Sequence, residues 1–336
     1  MPLVPDATTH AYGRFWLDGW QCQSDGGLVA ISELQRALHP ARFASPAVRH
    51  WARLLTPGNR AMVAALAVGL AIAAVQILGR SPSAIDAAVY YEATPGALYS
   101  ADWATAATHQ VFLYSPAFAD ALIPFRILPE AWFQGLFQLA IVSALVVTIR
   151  GWALVAMAAA LPFLFLGVAR PLTYVMGDIA LGNVQILLGC VAVWGLRWPG
   201  LWSFALLSKL TPGIGILWFA ARAEWRRLAI AIGVTAAIAV ASFVWKPGDW
   251  FAWVQFLTST TPPTYDGVLP VALPVRLAAA AALIIWGART NRSWVLPIAV
   301  GLSIPIPYLS MAAAMVCAIG ARPTLPVPGS SDPVNA

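Results

Sequence analysis

Between Ala61 and Leu78 the chain runs eighteen residues without a charge. A helix of that length nearly crosses the ~30 Å hydrocarbon layer of a bilayer at 1.5 Å per residue. The pattern recurs. Apolar runs follow from Ala131 to Ile149, Trp152 to Val168, Gly182 to Leu196, Leu228 to Trp245 and Val271 to Trp286. A last run, Trp294 to Ile319, is too long for one span, and Pro305 and Pro307 predict a break within it. Of all residues 60% are hydrophobic and only 10% charged, where a soluble domain carries about 25% charged. These features exclude an ordinary soluble domain and a disordered chain. They predict an all-α polytopic membrane protein, a bundle of about eight to ten transmembrane helices. The 16 tryptophans suit many membrane–water interfaces.

Trp202 to Ala220 is apolar but holds Lys209, Thr211, Pro212 and Gly213 at its middle. A lysine near the bilayer centre costs ~2.5–3.5 kcal/mol on insertion scales unless it faces protein or water. Two short half-helices therefore fit better than one span. Lysine and arginine set the orientation. With residues 1–60 in the cytoplasm, the six arginines of that stretch join Arg150, Arg197, Arg222, Arg226, Arg227, Arg289, Arg292 and Arg322 on the inside, 14 of 20 basic residues. Residues 1–60 then form a cytoplasmic extension resting on membrane lipids, 61–320 the membrane domain and 321–336 a cytoplasmic tail. No cleavable signal peptide is expected. The net charge of +6 reports this orientation, and no nucleic-acid partner is expected. Cys22, Cys190 and Cys317 show neither a disulfide framework nor metal-ligand spacing. Most acids fall in the three external pieces, 79–130, 169–181 and 246–270.

Four groups on the external side carry candidate chemistry. Asp86 lies in the mostly apolar stretch Ala84-Ile85-Asp86-Ala87-Ala88-Val89-Tyr90-Tyr91, soon after the first span. Partial desolvation there raises a carboxylate's proton affinity and suits it to deprotonating a hydroxyl. The other reading is a helix N-cap. Arg170, Lys209 and Arg276 are cations that three separate segments bring to one membrane face, able to converge on a lipid phosphate or to snorkel to headgroups. Leu181-Gly182-Asn183-Val184-Gln185 opens a span with two amides, which bond either to a hydroxyl-rich ligand or to a neighbouring helix. His109 sits in a polar loop and reads as solvated or ligand-binding. No Walker loop, GxGxxG or HExxH is present, so no nucleotide or metal cofactor is expected.

Taken in order, these segments resemble glycosyltransferase family 87, membrane enzymes of the GT-C fold that use polyprenol-phosphate mannose. Asp86-Ala87-Ala88-Val89-Tyr90-Tyr91-Glu92-Ala93, with Gly96 and Tyr99, is similar to the family's acid–aromatic stretch in a large first external loop. Phe112-Leu113-Tyr114-Ser115-Pro116, then Pro124 and Leu128-Pro129, is similar to its Tyr-x-Pro segment. Leu181-Gly182-Asn183-Val184-Gln185 resembles its Gly-Gln-x-Asn segment with the amides exchanged, and Ser208-Lys209-Leu210-Thr211-Pro212 its Lys-x-Thr/Pro-Pro turn. Where many members carry a late Trp and His, this chain reads Ile304-Pro305-Ile306-Pro307-Tyr308-Leu309-Ser310.

The resemblance implies a polyprenyl-phosphate sugar donor and a lipid or glycan acceptor on the external face. It implies Asp86 as base; with such a donor, Lys209, Arg276 and Arg170 are expected at its phosphate, and Asn183, Gln185, Tyr90, Tyr91 and His109 at the sugar or acceptor. A transporter or flippase would also explain an intramembrane lysine, but it predicts polar residues along the whole path, and here they gather on the outer half. An inactive member serving in assembly is the third alternative.

Overall fold

The computed structural model describes residues 56–79, 84–93, 98–99, 112–158, 175–259, 271–305 and 311–321. Residues from Pro57 onward belong to one unit, Pro57–Ala336. Among the described residues the secondary structure is entirely helical, with no strand, and the chain is an all-α polytopic membrane protein. Three helices are long and apolar enough to span: α1 (Pro57–Ile77), α4 (Glu130–Ile149) and α10 (Trp225–Trp245). Between α1 and α4 lie two short helices, α2 (Ile85–Glu92) and α3 (Pro116–Leu122), the latter continued by a 3-10 turn over Ile123–Ile127. Helix α5 is Trp152–Ala158. Helices α6 (Val175–Leu181) and α7 (Gln185–Trp194) are apolar enough for a fourth span but meet at 112°.

The break at Lys209 is present. Helix α8 (Trp202–Ser208) ends where Lys209 turns extended, φ −134° and ψ 104°. A 3-10 segment, Thr211–Ile216, leads into α9 (Leu217–Ala221) and folds back onto α8. A Cβ on Gly215 would sit 2.0 Å from Trp202, and one on Gly213 would sit 2.1 Å from Leu206, so only glycine permits this return. Helix α11 (Pro247–Ser259) follows α10 directly, then come α12 (Leu273–Arg289) and α13 (Val295–Ser303). The chain leaves helix at Ile304, next to Pro305, and re-enters it as α14 (Met311–Met315) with a 3-10 end at Val316–Gly320.

Two buried clusters hold these helices together. One gathers Tyr90, Phe118, Leu188, Trp202, Trp218, Ile284 and Leu296. The other gathers Ala65, Ile141, Leu145, Ile179, Ile186 and Cys317. Helix α7 belongs to both, through Leu188 and Val191 on one face and Ile186 and Cys190 on the other. By contrast α10 buries only Ala231 and Ser242, leaving an apolar surface of the kind a bilayer covers.

Helices α1 and α4 approach closely through glycine. A Cβ on Gly135 would lie 2.9 Å from the Ala73 carbonyl oxygen, which backbone geometry cannot move aside. Near their shared end, Gln76 donates to Gln134 Oε1 at 2.5 Å, and the Ala84 amide donates to the same oxygen at 3.3 Å. That shared acceptor ties the first residue before α2 to α4. We predict that Gly135→Leu destabilises the purified protein by about 1–3 kcal/mol through overpacking. Gly233→Leu on α10, where a Cβ meets nothing within 4 Å, leaves the melting midpoint unchanged. Thermal unfolding in detergent reads both.

Candidate active site

The turn that bends α6 into α7 builds one side of the site. Gly182 adopts φ +69°, a left-handed conformation that costs a side-chain-bearing residue roughly 1–2 kcal/mol. The Asn183 amide donates to the Asp178 carbonyl at 2.9 Å and the Gly182 amide to Ile179 at 3.1 Å. These two bonds close α6 in the glycine-dependent helix stop known as a Schellman motif. The bare Gly182 lets α2 settle on the turn, since a Cβ there would lie 2.6 Å from the Ala87 Cβ. Asp86 is the residue before Ala87, in the first turn of α2. It does not cap the helix: the residue before the helix is Ala84, and the Ala88 amide bonds to the Ala84 carbonyl.

Asp86 instead accepts a hydrogen bond from Asn183. The Asn183 Oδ1 takes the Gln185 amide at 3.3 Å, which turns Nδ2 toward Asp86 Oδ2 at 2.9 Å. One end of the asparagine caps α7 while the other holds the carboxylate.

Lys209 comes from the break after α8. The Ser115 amide and hydroxyl both donate to the Leu207 carbonyl, at 3.3 and 2.5 Å, stitching the segment before α3 to the end of α8. This sets the Tyr114 ring beside Lys209, whose ammonium lies 5.6 Å from the ring centroid. Such cation–aromatic contacts contribute about 0.5–2 kcal/mol. The Tyr114 hydroxyl shares a 2.8 Å hydrogen bond with that of Tyr90, and the Tyr99 hydroxyl donates to the Tyr114 carbonyl. Lys209 lies within electrostatic reach of two carboxylates, Asp86 and Asp178.

Burial pushes the Asp86 carboxyl above its ordinary value, and this outweighs the opposing pulls of Lys209 and the Asn183 hydrogen bond. Burial first, then the Tyr114 phenol and nearby carboxylates, hold Tyr90 above the usual phenol range; burial and then Asp86 raise Tyr114, against the opposing Tyr90 hydrogen bond. Both stay protonated near neutrality and act as hydroxyls, not phenolates.

Several buried oxygens here lack a hydrogen-bond partner: both of Asp178, Gln185 Oε1, Ser208 Oγ and Thr211 Oγ1. They belong to the segments that carry the acid, the amides and the lysine. Such orphaned acceptors are uncommon in folded proteins and mark places where a ligand or water belongs. No cluster of three or more metal-ligating side chains occurs among the described residues.

The residues singled out from sequence divide into three groups. Asp86, Asn183 and Lys209 come together, with the Tyr90 hydroxyl close by through Tyr114, and Gln185 follows at the start of α7. Tyr91 and Arg276 are engaged elsewhere. The Tyr91 hydroxyl donates to the Leu128 carbonyl at 3.0 Å. Arg276 is buried in α12, where its guanidinium donates to the carbonyls of Val271, Leu302, Ile304 and Pro305 at 2.7–3.1 Å. It fastens α12 to the frayed end of α13, where carbonyls have lost their helical donors. His109 and Arg170 lie outside the described residues. Two members of the site were not anticipated as such. Tyr114 stood in a recognised segment without a role, and Asp178 was one external acid among several. An acid in the apolar stretch Val175–Leu181, just before the paired amides, was the available signal for Asp178.

The sequence profile of glycosyltransferase family 87 matches residues 112–329, and the chain belongs to that family, as a membrane glycosyltransferase. The match takes in Tyr114, Asp178, Asn183 and Lys209, while Asp86 and α2 precede it. No curated protein and no solved structure matches the chain.

We predict that Gly182→Ala lowers stability by about 2–3 kcal/mol, combining backbone strain with a clash against Ala87. Ala87→Gly alone costs about 1 kcal/mol of helix propensity, but in the Gly182→Ala background it also relieves the clash, so the double variant loses less than the sum of the two single losses. Melting midpoints of the three variants against native protein check this; strictly additive losses would show that α2 does not rest on the turn.

Proposed function

We propose that the protein transfers a sugar, mannose by family likeness, from a polyprenyl-phosphate donor to a hydroxyl of a lipid or glycan acceptor, with inversion. The supporting observation is the opposition of Asp86, held by Asn183, to Lys209, held over Tyr114. Asp86 takes the proton of the acceptor hydroxyl as that oxygen forms its bond to the anomeric carbon. The bond from that carbon to the phosphate oxygen breaks, and its electron pair leaves with the polyprenyl phosphate. Lys209 stabilises the charge that gathers there. Attack opposite to departure inverts the centre. Asn183, Gln185 and the Tyr90 hydroxyl are the proposed partners of the sugar hydroxyls. Arg276 has most of its donors engaged with carbonyls, so Lys209 carries the phosphate, with Arg170 as a proposed second cation. His109 is a proposed acceptor contact.

The charge pattern supports an active site on the external face of the membrane, with both termini cytoplasmic; a bacterial plasma membrane is the proposed setting. A transporter would need a polar path across the bundle, whereas the candidate polar residues gather on its outer half.

The test is transfer of label from radiolabelled polyprenyl-phosphate mannose into a crude lipid acceptor pool by purified protein. Asp86→Asn lowers kcat by about 10²–10⁴, the usual worth of a general base, while Lys209→Ala raises the donor KM and lowers kcat as well, since the ammonium meets the phosphate both before and during its departure. Transfer at native rate by Asp86→Asn would exclude it as the base.

A base works only when deprotonated, so activity falls as pH drops through the Asp86 pKa. Since burial raises that value, the acid limb lies above the ordinary carboxylate range near 4. The Asn183 hydrogen bond opposes the rise, so Asn183→Ala moves the acid limb to higher pH. A pH–rate profile with an unmoved limb would remove Asn183 from this role.

A further inference from the structure

Asp178 is the buried charge that the transfer chemistry leaves unused. It is 0% exposed, and neither carboxylate oxygen completes a hydrogen bond, the Ile186 amide being its nearest backbone influence. A carboxylate stripped of water is costly unless a cation stands by. The cation within electrostatic reach is Lys209, and the same lysine reaches Asp86. The helix stop at Gly182 holds Asp178 in place: its carbonyl accepts the Asn183 amide, and Asn183 in turn bonds Asp86. The two carboxylates are therefore fixed on either side of one turn, with the lysine common to both.

A lysine facing Asp86 alone would pair with it. That pairing would stabilise the carboxylate and weaken it as a base, and it would occupy the ammonium needed at the phosphate. A second, permanently buried carboxylate divides the lysine's attraction.

Resting on the glycosyl-transfer reading, we propose that Asp178 is a positioning residue: it anchors the Lys209 ammonium over Tyr114, so that the cation is presented to the donor phosphate and not drawn onto Asp86. The groups facing Lys209 are Asp86 from α2, Asp178 from α6 and the Tyr114 ring, whose hydroxyl is bonded to that of Tyr90. Asp178 touches no reacting atom in this scheme.

The chain contains only two lysines, Lys209 and Lys246, so Lys246→Arg leaves one. Lysine side chains labelled with ¹⁵N at Nζ then report the ionisation of Lys209 directly by NMR, in the purified full chain and without turnover. With Asp178→Asn, loss of an opposing charge moves the Lys209 titration to lower pH by about one unit or more. Asp178→Glu keeps the charge and holds the titration near native. An unmoved titration in Asp178→Asn, or equal shifts in the Asn and Glu variants, overturns the proposal.

The transfer assay supplies the functional half. Asp178→Asn raises the donor KM at least several-fold and brings the alkaline limb of the pH–rate profile to lower pH, and Asp178→Glu restores the limb. A fall in kcat alone with an unmoved limb contradicts the positioning role. Absence of transfer by native protein would count against the glycosyltransferase chemistry proposed above, whereas the Lys209 titration still decides the role of Asp178.

Discussion

The contact of α2 with the Gly182 turn is the constraint on which the site depends. An eight-residue helix has no stability of its own in water, because too few hydrogen bonds repay its nucleation. Helix α2 is held instead from two sides. Gln134 takes the Ala84 amide at its start, and Ala87 rests where Gly182 has no Cβ. Asp86, between these anchors, has little freedom left, and Asn183 meets it across the turn. The turn itself is fixed because α7 is packed into both buried clusters of the bundle.

The electrostatics follow from that placement. Burial alone would leave Asp86 a protonated acid, and a close cation alone would leave it a weak base. Here desolvation dominates, tempered by Lys209 and by a single amide donor. Such a balance suits a group that must lose a proton before the reaction and gain one during it. Lys209 is available to it because proline and two glycines break a span that the bilayer would otherwise keep continuous.

Much of this was legible in the sequence, and the legible parts share a cause. Long apolar runs have few ways to satisfy their backbone except as helices, so Ala131 to Ile149 became Glu130–Ile149 with little change. Pro305 and the Lys209-Leu210-Thr211-Pro212 turn announced breaks through backbone chemistry that packing does not override. Asp86 and Asn183 were visible as polar residues in apolar settings, though nothing local decided between base and N-cap. What the sequence hid depends on contacts between distant segments. An arginine in an apolar run reads the same whether it binds phosphate or, like Arg276, the carbonyls freed at the end of α13. Tyr91 and Tyr90 are neighbours in sequence, yet one hydroxyl bonds Leu128 and the other Tyr114. Asp178 gained meaning only from the 112° bend between α6 and α7 and from Lys209, a residue distant in sequence, within its electrostatic reach.

The central claim is that Asp86 acts in the chemical step and not in holding the donor. A single-turnover experiment with donor bound beforehand separates the two. The account predicts that Asp86→Asn binds polyprenyl-phosphate mannose as native protein does, and then transfers it to acceptor slower by about 10² or more. A variant that turns over bound donor at the native rate, or that fails chiefly to bind it, would contradict the account.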